Sequence, residues 1–311
     1  MGKKITVVGA GNVGASIAYT LAVRGMASEI VLVDINKKKA EGEAMDIFQG
    51  TAFCPSVNIF AGEYEDAKDS DIVIITSGIP RKADQSRLDL AQNNVNLMKS
   101  IGPQLVAAAP KAIYVVVSNP VDIMTYTLIK ATGLPKKQVI GSGTMLDSAR
   151  LRSILAEATD VDPKNIHGFV IGEHGGSSVV PWSRITIGGM TIDTYSESIG
   201  KKISVDLVET ERKMRDSGSK VIELKGATYY AIALSVCHLC ETILRDTNSM
   251  LIVSTLVENR YGIDDVCLSL PAVIGKDGIK MEVNPPLLPE EEEALRNSAK
   301  TLKDVILNIN I

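Results

Sequence analysis

Ile5-Thr6-Val7-Val8-Gly9-Ala10-Gly11-Asn12-Val13-Gly14-Ala15-Ser16-Ile17-Ala18 decides the fold of this chain. Its opening run is β-branched and mostly apolar, as expected of a strand buried on both faces of a parallel sheet. Then comes GxGxxG, followed by a stretch with helical periodicity. Gly9 allows a tight turn, Gly11 lets the backbone approach a pyrophosphate, and Gly14 lets the helix pack on the strand. Asn12 and Val13 open that helix, whose free N–H groups suit an anion. GxGxxG alone is weak evidence. A strand before it and a helix after it make it a dinucleotide-binding signature.

Outward from this turn, the next apolar run, Ile30-Val31-Leu32-Val33, ends in Asp34, 20 residues beyond Gly14. A carboxylate there accepts hydrogen bonds from an adenosine ribose and repels a 2′-phosphate, which favours NAD over NADP. Further runs at 72–75 and 113–117 alternate with helical stretches at 12–24, 37–48 and 88–108. This βαβ alternation predicts a doubly wound parallel sheet over residues 1–142. It weakens after about residue 142. A helix is expected near 145–158, strands near 166–171 and 183–187, and helices near 204–214 and 218–245. Strands near 250–257 and 264–274 and a charged helix from about 289 complete residues 143–311, read as an α+β domain. No Gly/Ser linker separates the halves, so a shared cleft is expected.

Composition narrows the function classes. Of 311 residues, 45% are hydrophobic and 23% charged, which excludes a wholly disordered chain. The formal net charge of −4 gives no chain-wide attraction for nucleic acid or an anionic membrane. Glycines and Asn12 interrupt the first apolar stretch, and no uninterrupted apolar window spans a bilayer, so neither export nor membrane insertion is expected. Four cysteines (Cys54, Cys237, Cys240, Cys267) are too few for a disulfide framework, and a cytoplasmic protein is expected. Cys237 and Cys240 form CxxC within a helical pattern that lacks a second pair, so core packing is expected rather than metal binding.

Several segments place reactive side chains at the carboxyl ends of predicted strands, the edge where doubly wound folds bind ligands. Residues 76–87 read Thr76-Ser77-Gly78-Ile79-Pro80-Arg81-Lys82-Ala83-Asp84-Gln85-Ser86-Arg87, a polar loop with three cations. It is either a solvated loop or a lid bringing Arg81 and Arg87 onto an anionic substrate. Val117-Ser118-Asn119-Pro120-Val121-Asp122 turns at Pro120, which cannot continue a central strand. Asp147 and Arg150 share one helix face, three residues or ~300° apart; locally that spacing fits an exposed ion pair. Among only three histidines, His174 is flanked by glycines in Ile171-Gly172-Glu173-His174-Gly175-Gly176. A ligand has room there, which makes His174 a candidate acid/base.

Taken together and in order, GAGNVG, Asp34, PRKADQSR, VSNPVD, LDSAR and GEHG resemble the L-lactate/malate dehydrogenase family over residues 4–309. The resemblance implies an NAD-binding Rossmann domain, then a catalytic domain, and NAD-linked interconversion of an L-2-hydroxy acid and its 2-oxo acid. Position by position it implies His174 as proton donor and acceptor, Asp147 as its orienting partner, and Arg150 as the fork for the substrate carboxylate. It implies Arg87 as the lid arginine polarising the carbonyl and Asn119 as a hydrogen-bond partner of the substrate oxygen. Thr76, Ser77, Gly78, Asn94, Val117, Ser118 and Asn119 join the glycine turn as cofactor contacts.

Within that family arginine at the position of Arg81 goes with malate and glutamine with lactate. The resulting expectation is a malate dehydrogenase of the tricarboxylic acid cycle, interconverting (S)-malate and oxaloacetate. The stretches IGEHGGSSVVPWS and KGATYYAIAL, with Thr228 at a pocket position, resemble lactate dehydrogenases instead, and Ala83-Asp84 replaces the usual Pro-Gly of the lid. L-lactate dehydrogenase or a broad 2-oxo acid reductase is therefore the alternative. A silent NAD-binding regulatory protein leaves His174, Asp147, Arg150 and Arg87 unexplained together. An NAD-dependent glycosidase of the related fold would be longer and use a metal-binding Cys/His pair. The resemblance also implies a homodimer or homotetramer without the N-terminal arm of vertebrate lactate dehydrogenases. Arg152 projects ~200° from Arg150's helix face, and His167 lies up to ~23 Å of extended chain from His174. Both match positions that bind a phosphorylated effector, fructose 1,6-bisphosphate, between bacterial subunits.

Overall fold

The computed structural model describes residues 2–79 and 87–311, with Arg87 described in its backbone alone. Arg81 and the side chain of Arg87 therefore lie outside the described residues. The first half runs β1 (Lys4–Val8), α1 (Asn12–Val23), β2 (Glu29–Val33), α2 (Lys37–Gln49), β3 (Asn58–Ala61), β4 (Ile72–Ile75), α3 (Arg87–Ala108), β5 (Ile113–Val116), α4 (Val121–Thr132) and β6 (Val139–Gly141). The second half runs α5 (Met145–Thr159), β7 (Ile166–His167), β8 (Thr186–Ile187), α6 (Ile192–Ser198), α7 (Leu207–Lys225), α8 (Tyr230–Leu244), β9 (Ser249–Val257), β10 (Val266–Gly275), β11 (Gly278–Glu282) and α9 (Pro289–Leu307).

Six parallel strands pair in the order β3-β2-β1-β4-β5-β6. This is the doubly wound Rossmann arrangement, with its topological switch between β1 and β4. Alternation along the strands divides the core. Ile5, Val7, Ile72, Ile74 and Val115 pack with residues of α1, α2 and α8 on one face. Val8, Val73, Ile75, Tyr114 and Val116 pack with α3, α4 and α9 on the other. Burial on both faces is what the continuous apolar runs require.

The later strands do not form a sheet of their own. β9, β10 and β11 extend the first sheet antiparallel from β6, where Gly141 pairs with Ser254. The site therefore straddles a continuous sheet. Beside it, Leu151, Ile166, Val170, Ile185 and Met214 make a third core around α5, α7 and the β7–β8 pair.

Several local expectations change. β3 was not expected: as an edge strand beside β2 it fully buries only Ile59, so it lacks a continuous apolar run. The strands expected at 166–171 and 183–187 shrink to two paired residues each, with a helical turn at Trp182–Arg184. The helix break expected between 214 and 218 is absent. α7 runs to Lys225 and ends at left-handed Gly226, φ +84°. Gly218 stays helical, and the Arg150 guanidinium lies 3.3 Å from where its Cβ would be.

Candidate active site

At the switch point the glycines behave as three different parts. Gly9 sits at φ +106°, a conformation that favours glycine. A Cβ on Gly14 would come within 1.8 Å of the Gly9 carbonyl oxygen, so α1 reaches the turn only because the side chain is missing. A Cβ on Gly11 would meet nothing within 4 Å, which leaves open space over the start of α1. That helix has no side-chain cap and no acidic residue in its first turn. Its N–H groups thus remain for an anion. Asp34 accepts from the Ala10 N–H at 2.7 Å and the Asn36 N–H at 2.8 Å, tying the end of β2 to the turn.

The ends of β4 and β5 are stitched together beside it. Thr76 donates its hydroxyl to the carbonyls of Val8 and Gly9 at 3.2 and 3.0 Å. Ser118 donates to the Ser77 carbonyl at 2.5 Å and to that of Ile75 at 3.2 Å. Buried Asn94 accepts from the Ile79 N–H at 2.7 Å and donates to the Asn119 carbonyl at 3.0 Å. Gly78 lies against Asn94, Val117 is buried, and Asn119 is exposed. The amides of Asn94 and hydroxyls of Thr76 and Ser118 thus shape the backbone rim.

His174 is held by its backbone before its side chain is considered. Gly172, at φ +87°, exchanges hydrogen bonds with Ser269 of β10, both at 2.9 Å. The Glu173 N–H donates to the Ser298 hydroxyl of α9 at 2.8 Å. The His174 N–H donates to a carboxylate oxygen of Asp122 on α4, also at 2.8 Å. Three successive N–H groups are thus anchored to three different elements. α5 is fixed to the same region by Ser148, whose hydroxyl accepts from the Val170 N–H at 2.9 Å.

The charges then converge on Asp147. One of its oxygens lies 2.6 Å from His174 Nδ1, and the other accepts from Arg150 Nη1 at 3.0 Å. The local expectation of an exposed ion pair gives way to a part-buried triad. Side-chain exposure is 8% for Asp147, 17% for Arg150 and 27% for His174, so the imidazole is the member most open to a ligand. Burial pushes the Asp147 carboxyl up, but the hydrogen bonds and charges of His174 and Arg150 outweigh it, and the net direction is down. Burial disfavours the imidazolium of His174. The hydrogen bond and charge of Asp147, with the charge of Asp122, outweigh that and raise its pKa. Asp147 at Nδ1 leaves Nε2 as the nitrogen available for proton transfer.

Asp122, Ser254 and Ser298 were not singled out by sequence reasoning. Asp122 stood within the VSNPVD segment as an unassigned carboxylate. The two serines are buried in β9 and α9, where no local signal marks them. Thr228 lies in the connection 226–229 between α7 and α8. Arg152 donates twice to the Pro163 carbonyl, at 3.2 and 3.1 Å. It also lines, with His167 and His238, a surface cavity of about 510 Å³. Among the described residues no group of three or more His, Cys, Asp or Glu is placed to hold a metal ion. No described helix is long and apolar enough to cross a membrane. Cys237 and Cys240 are buried in α8, and burial pushes both thiols up.

The family description "lactate/malate dehydrogenase, NAD binding domain" matches residues 3–141, and "lactate/malate dehydrogenase, alpha/beta C-terminal domain" matches residues 144–310. L-lactate dehydrogenase 1 of Clostridium acetobutylicum is 48% identical over 98% of this chain and 98% of its own length. L-lactate dehydrogenase of Thermoanaerobacter sp. strain X514 is 47% identical over 99% of each. Among solved structures, a lactate dehydrogenase enzyme from a Medee basin deep-sea metagenome library superposes with a TM-score of 0.95 at 38% identity, covering 99% of both chains. These relatives overturn the expectation of a malate dehydrogenase and, with it, the tricarboxylic acid cycle role. That expectation rested on Arg81, one side chain outside the described residues. Likeness along the whole chain, which includes the GEHGG and KGATYY segments, points to the lactate alternative.

Proposed function

This chain belongs to the lactate/malate dehydrogenase family, and we propose that it is an L-lactate dehydrogenase that interconverts pyruvate and L-lactate with NAD. The observation that carries the reading is Asp147 joined at once to the His174 imidazole and the Arg150 guanidinium. The choice of pyruvate is supported by full-length relatives named for lactate.

The chain's own residues fit NAD. Open space over Gly11, the uncapped start of α1 and the Asp34 carboxylate suit pyrophosphate and a ribose without 2′-phosphate. Gly9, Gly11, Asn12, Val13, Gly14 and Asp34 would hold its adenosine and pyrophosphate end. Thr76, Ser77, Gly78, Asn94, Val117, Ser118 and Asn119 form the rim toward nicotinamide. When bound, NADH supplies the hydride that pyruvate C2 accepts.

In this reading Arg150 grips the substrate carboxylate through its planar fork, held in place by Asp147. Arg87, from the start of α3, polarises the carbonyl, and Asn119 and Thr228 border the substrate. Protonated His174 gives its Nε2 proton to the carbonyl oxygen as the hydroxyl forms. In lactate oxidation, neutral His174 takes that proton back while Asp147 stabilises the imidazolium. The overall balance is pyruvate, NADH and one proton against L-lactate and NAD.

The reading further assigns residues 1–142 to cofactor and 143–311 to substrate binding, and a homodimer or homotetramer in the cytoplasm. The cavity bearing Arg152 and His167 is assigned to a phosphorylated effector; loss of sugar-bisphosphate activation in Arg152→Ala, against activation of the wild type, tests it. NADH oxidation with pyruvate, oxaloacetate or no substrate tests the main reading. Pyruvate is expected to be reduced fastest. Faster oxaloacetate reduction, or turnover of neither acid, overturns it.

A further inference from the structure

Asp122 is a second carboxylate at His174 and has no assigned part in the chemistry above. It lies in the first turn of α4 and is 2% exposed. One oxygen accepts the His174 N–H at 2.8 Å, and the other accepts the Ser254 hydroxyl at 2.5 Å. Ser254 is fully buried on β9, at the point where β9 joins β6. A carboxylate is an expensive group to bury without partners. A neutral asparagine would also accept the His174 N–H. The backbone anchor alone therefore gives no reason for an acid here.

We infer that Asp122 is a positioning residue for His174, a buried carboxylate that fixes the backbone of the acid/base turn and whose charge favours the protonated imidazole. The inference deepens the proposed function and rests on it for the role of His174. Two features favour the charged form despite burial. The hydrogen bonds from Ser254 and His174 both point at the carboxylate, and the start of α4 contributes its positive dipole end. Burial nevertheless pushes the Asp122 carboxyl up to about 6. Its charge is consequently largest in the neutral range, above that value, where His174 must keep its proton to reduce a 2-oxo acid.

The groups facing the pair limit what else carries the effect. Around His174 they are Asp147 and Arg150 from α5, Asp122 from α4, and Glu173 in its own turn. Around Asp122 they are His174, Glu173 and the buried Cys267 thiol of β10. Asp147 and Asp122 raise the pKa of His174, while Arg150 opposes them. Removing the Asp122 charge thus leaves one carboxylate against the cation.

The experiment uses the full chain with 13C-labelled histidine. With three histidines in the sequence, His174→Asn identifies the His174 signal. In Asp122→Asn, which keeps an acceptor for the His174 N–H, the His174 titration midpoint is expected to fall. Above both midpoints, pyruvate reduction normalised to its low-pH plateau is expected to be about threefold or more lower than that of the wild type at the same pH, since a charge neighbour is removed. An unchanged or raised midpoint overturns the inference. Should Asp122→Asn fail to fold, Ser254→Ala decides. Without its hydroxyl the Asp122 charge is less favoured, so a smaller fall is expected, and an unmoved midpoint again overturns the inference. A lowered midpoint in an enzyme that reduces neither pyruvate nor oxaloacetate sinks the proposed function while leaving the Asp122–His174 coupling intact.

Discussion

The turn after β1 and the turn carrying His174 stand at the same sheet and are built on opposite principles. The first is made of backbone: Gly9, Gly11 and Gly14 do their work by lacking side chains. The second is made of charge: Asp147 joins the His174 imidazole to Arg150, and Asp122 holds the backbone N–H of the same histidine. A site made of backbone fails sterically, and equally at every pH. A site made of charge fails electrostatically, and its failure depends on pH. Cofactor binding and proton transfer are therefore separable by substitution.

The largest break in this comparison is expected from His174→Asn. General acid–base catalysis is typically worth ~10²–10⁴-fold, so turnover should drop by about that much. NADH affinity, read by fluorescence, should stay close to wild type, because the glycine turn is untouched. If more than about a tenth of the turnover survives, proton transfer does not pass through this imidazole.

Asp147→Asn should cost less, about 10²-fold in turnover, and change the pH profile as well. The His174 pKa is raised by Asp147. Pyruvate reduction needs the protonated form, so in the wild type it holds below that pKa and declines as pH rises through it. Without the Asp147 charge the decline should begin at lower pH, and lactate oxidation should begin its rise at correspondingly lower pH. The shift should exceed that of Asp122→Asn, because Asp147 touches the ring and Asp122 only the backbone N–H. A pH profile superimposable on wild type would show that charge is not what distinguishes this turn.

The same contrast explains how far the sequence could be read. The glycine turn was fully legible, since glycine spacing and a strand-end carboxylate are local signals and their consequences are local. Four of the six parallel strands were legible because burial on both faces leaves continuous apolar runs. β3, which buries only Ile59, and β6, which is three residues long, were not, since neither carries a long apolar run. The end of α7 was misjudged because Gly218, which packs close to Arg150 68 residues away, stays helical. In the site, His174 was singled out by its glycine flanks, whereas Asp147 and Arg150, an exposed ion pair on helix spacing alone, were joined to it only by the family pattern. The anchors Asp122, Ser254 and Ser298 were not, because each meets the turn across the fold. Arg81 taught the opposite lesson. A single side chain carried the malate reading against the lactate-like character of the longer segments, and the relatives side with the segments.

The smallest effect, and the sharpest test of the backbone side, compares two substitutions three residues apart. In Gly14→Ala the new methyl would lie 1.8 Å from the Gly9 carbonyl oxygen, so α1 must shift away from β1. Overpacking of this kind typically costs ~1–3 kcal/mol, and both thermal stability and NADH affinity should fall. In Gly11→Ala the methyl meets nothing of the protein within 4 Å. Its backbone, at φ −74°, is open to any residue. Stability should therefore match wild type to within about 0.5 kcal/mol, as at an ordinary surface position. NADH affinity should still fall, by about tenfold, because the open space the methyl enters is the space assigned to the pyrophosphate. Neither loss should vary with pH between 6 and 8, roughly the range over which the His174 variants differ most. Melting curves and NADH titrations at both ends of that range separate the outcomes. Undiminished NADH binding in Gly11→Ala would mean that the pyrophosphate does not lie over the start of α1.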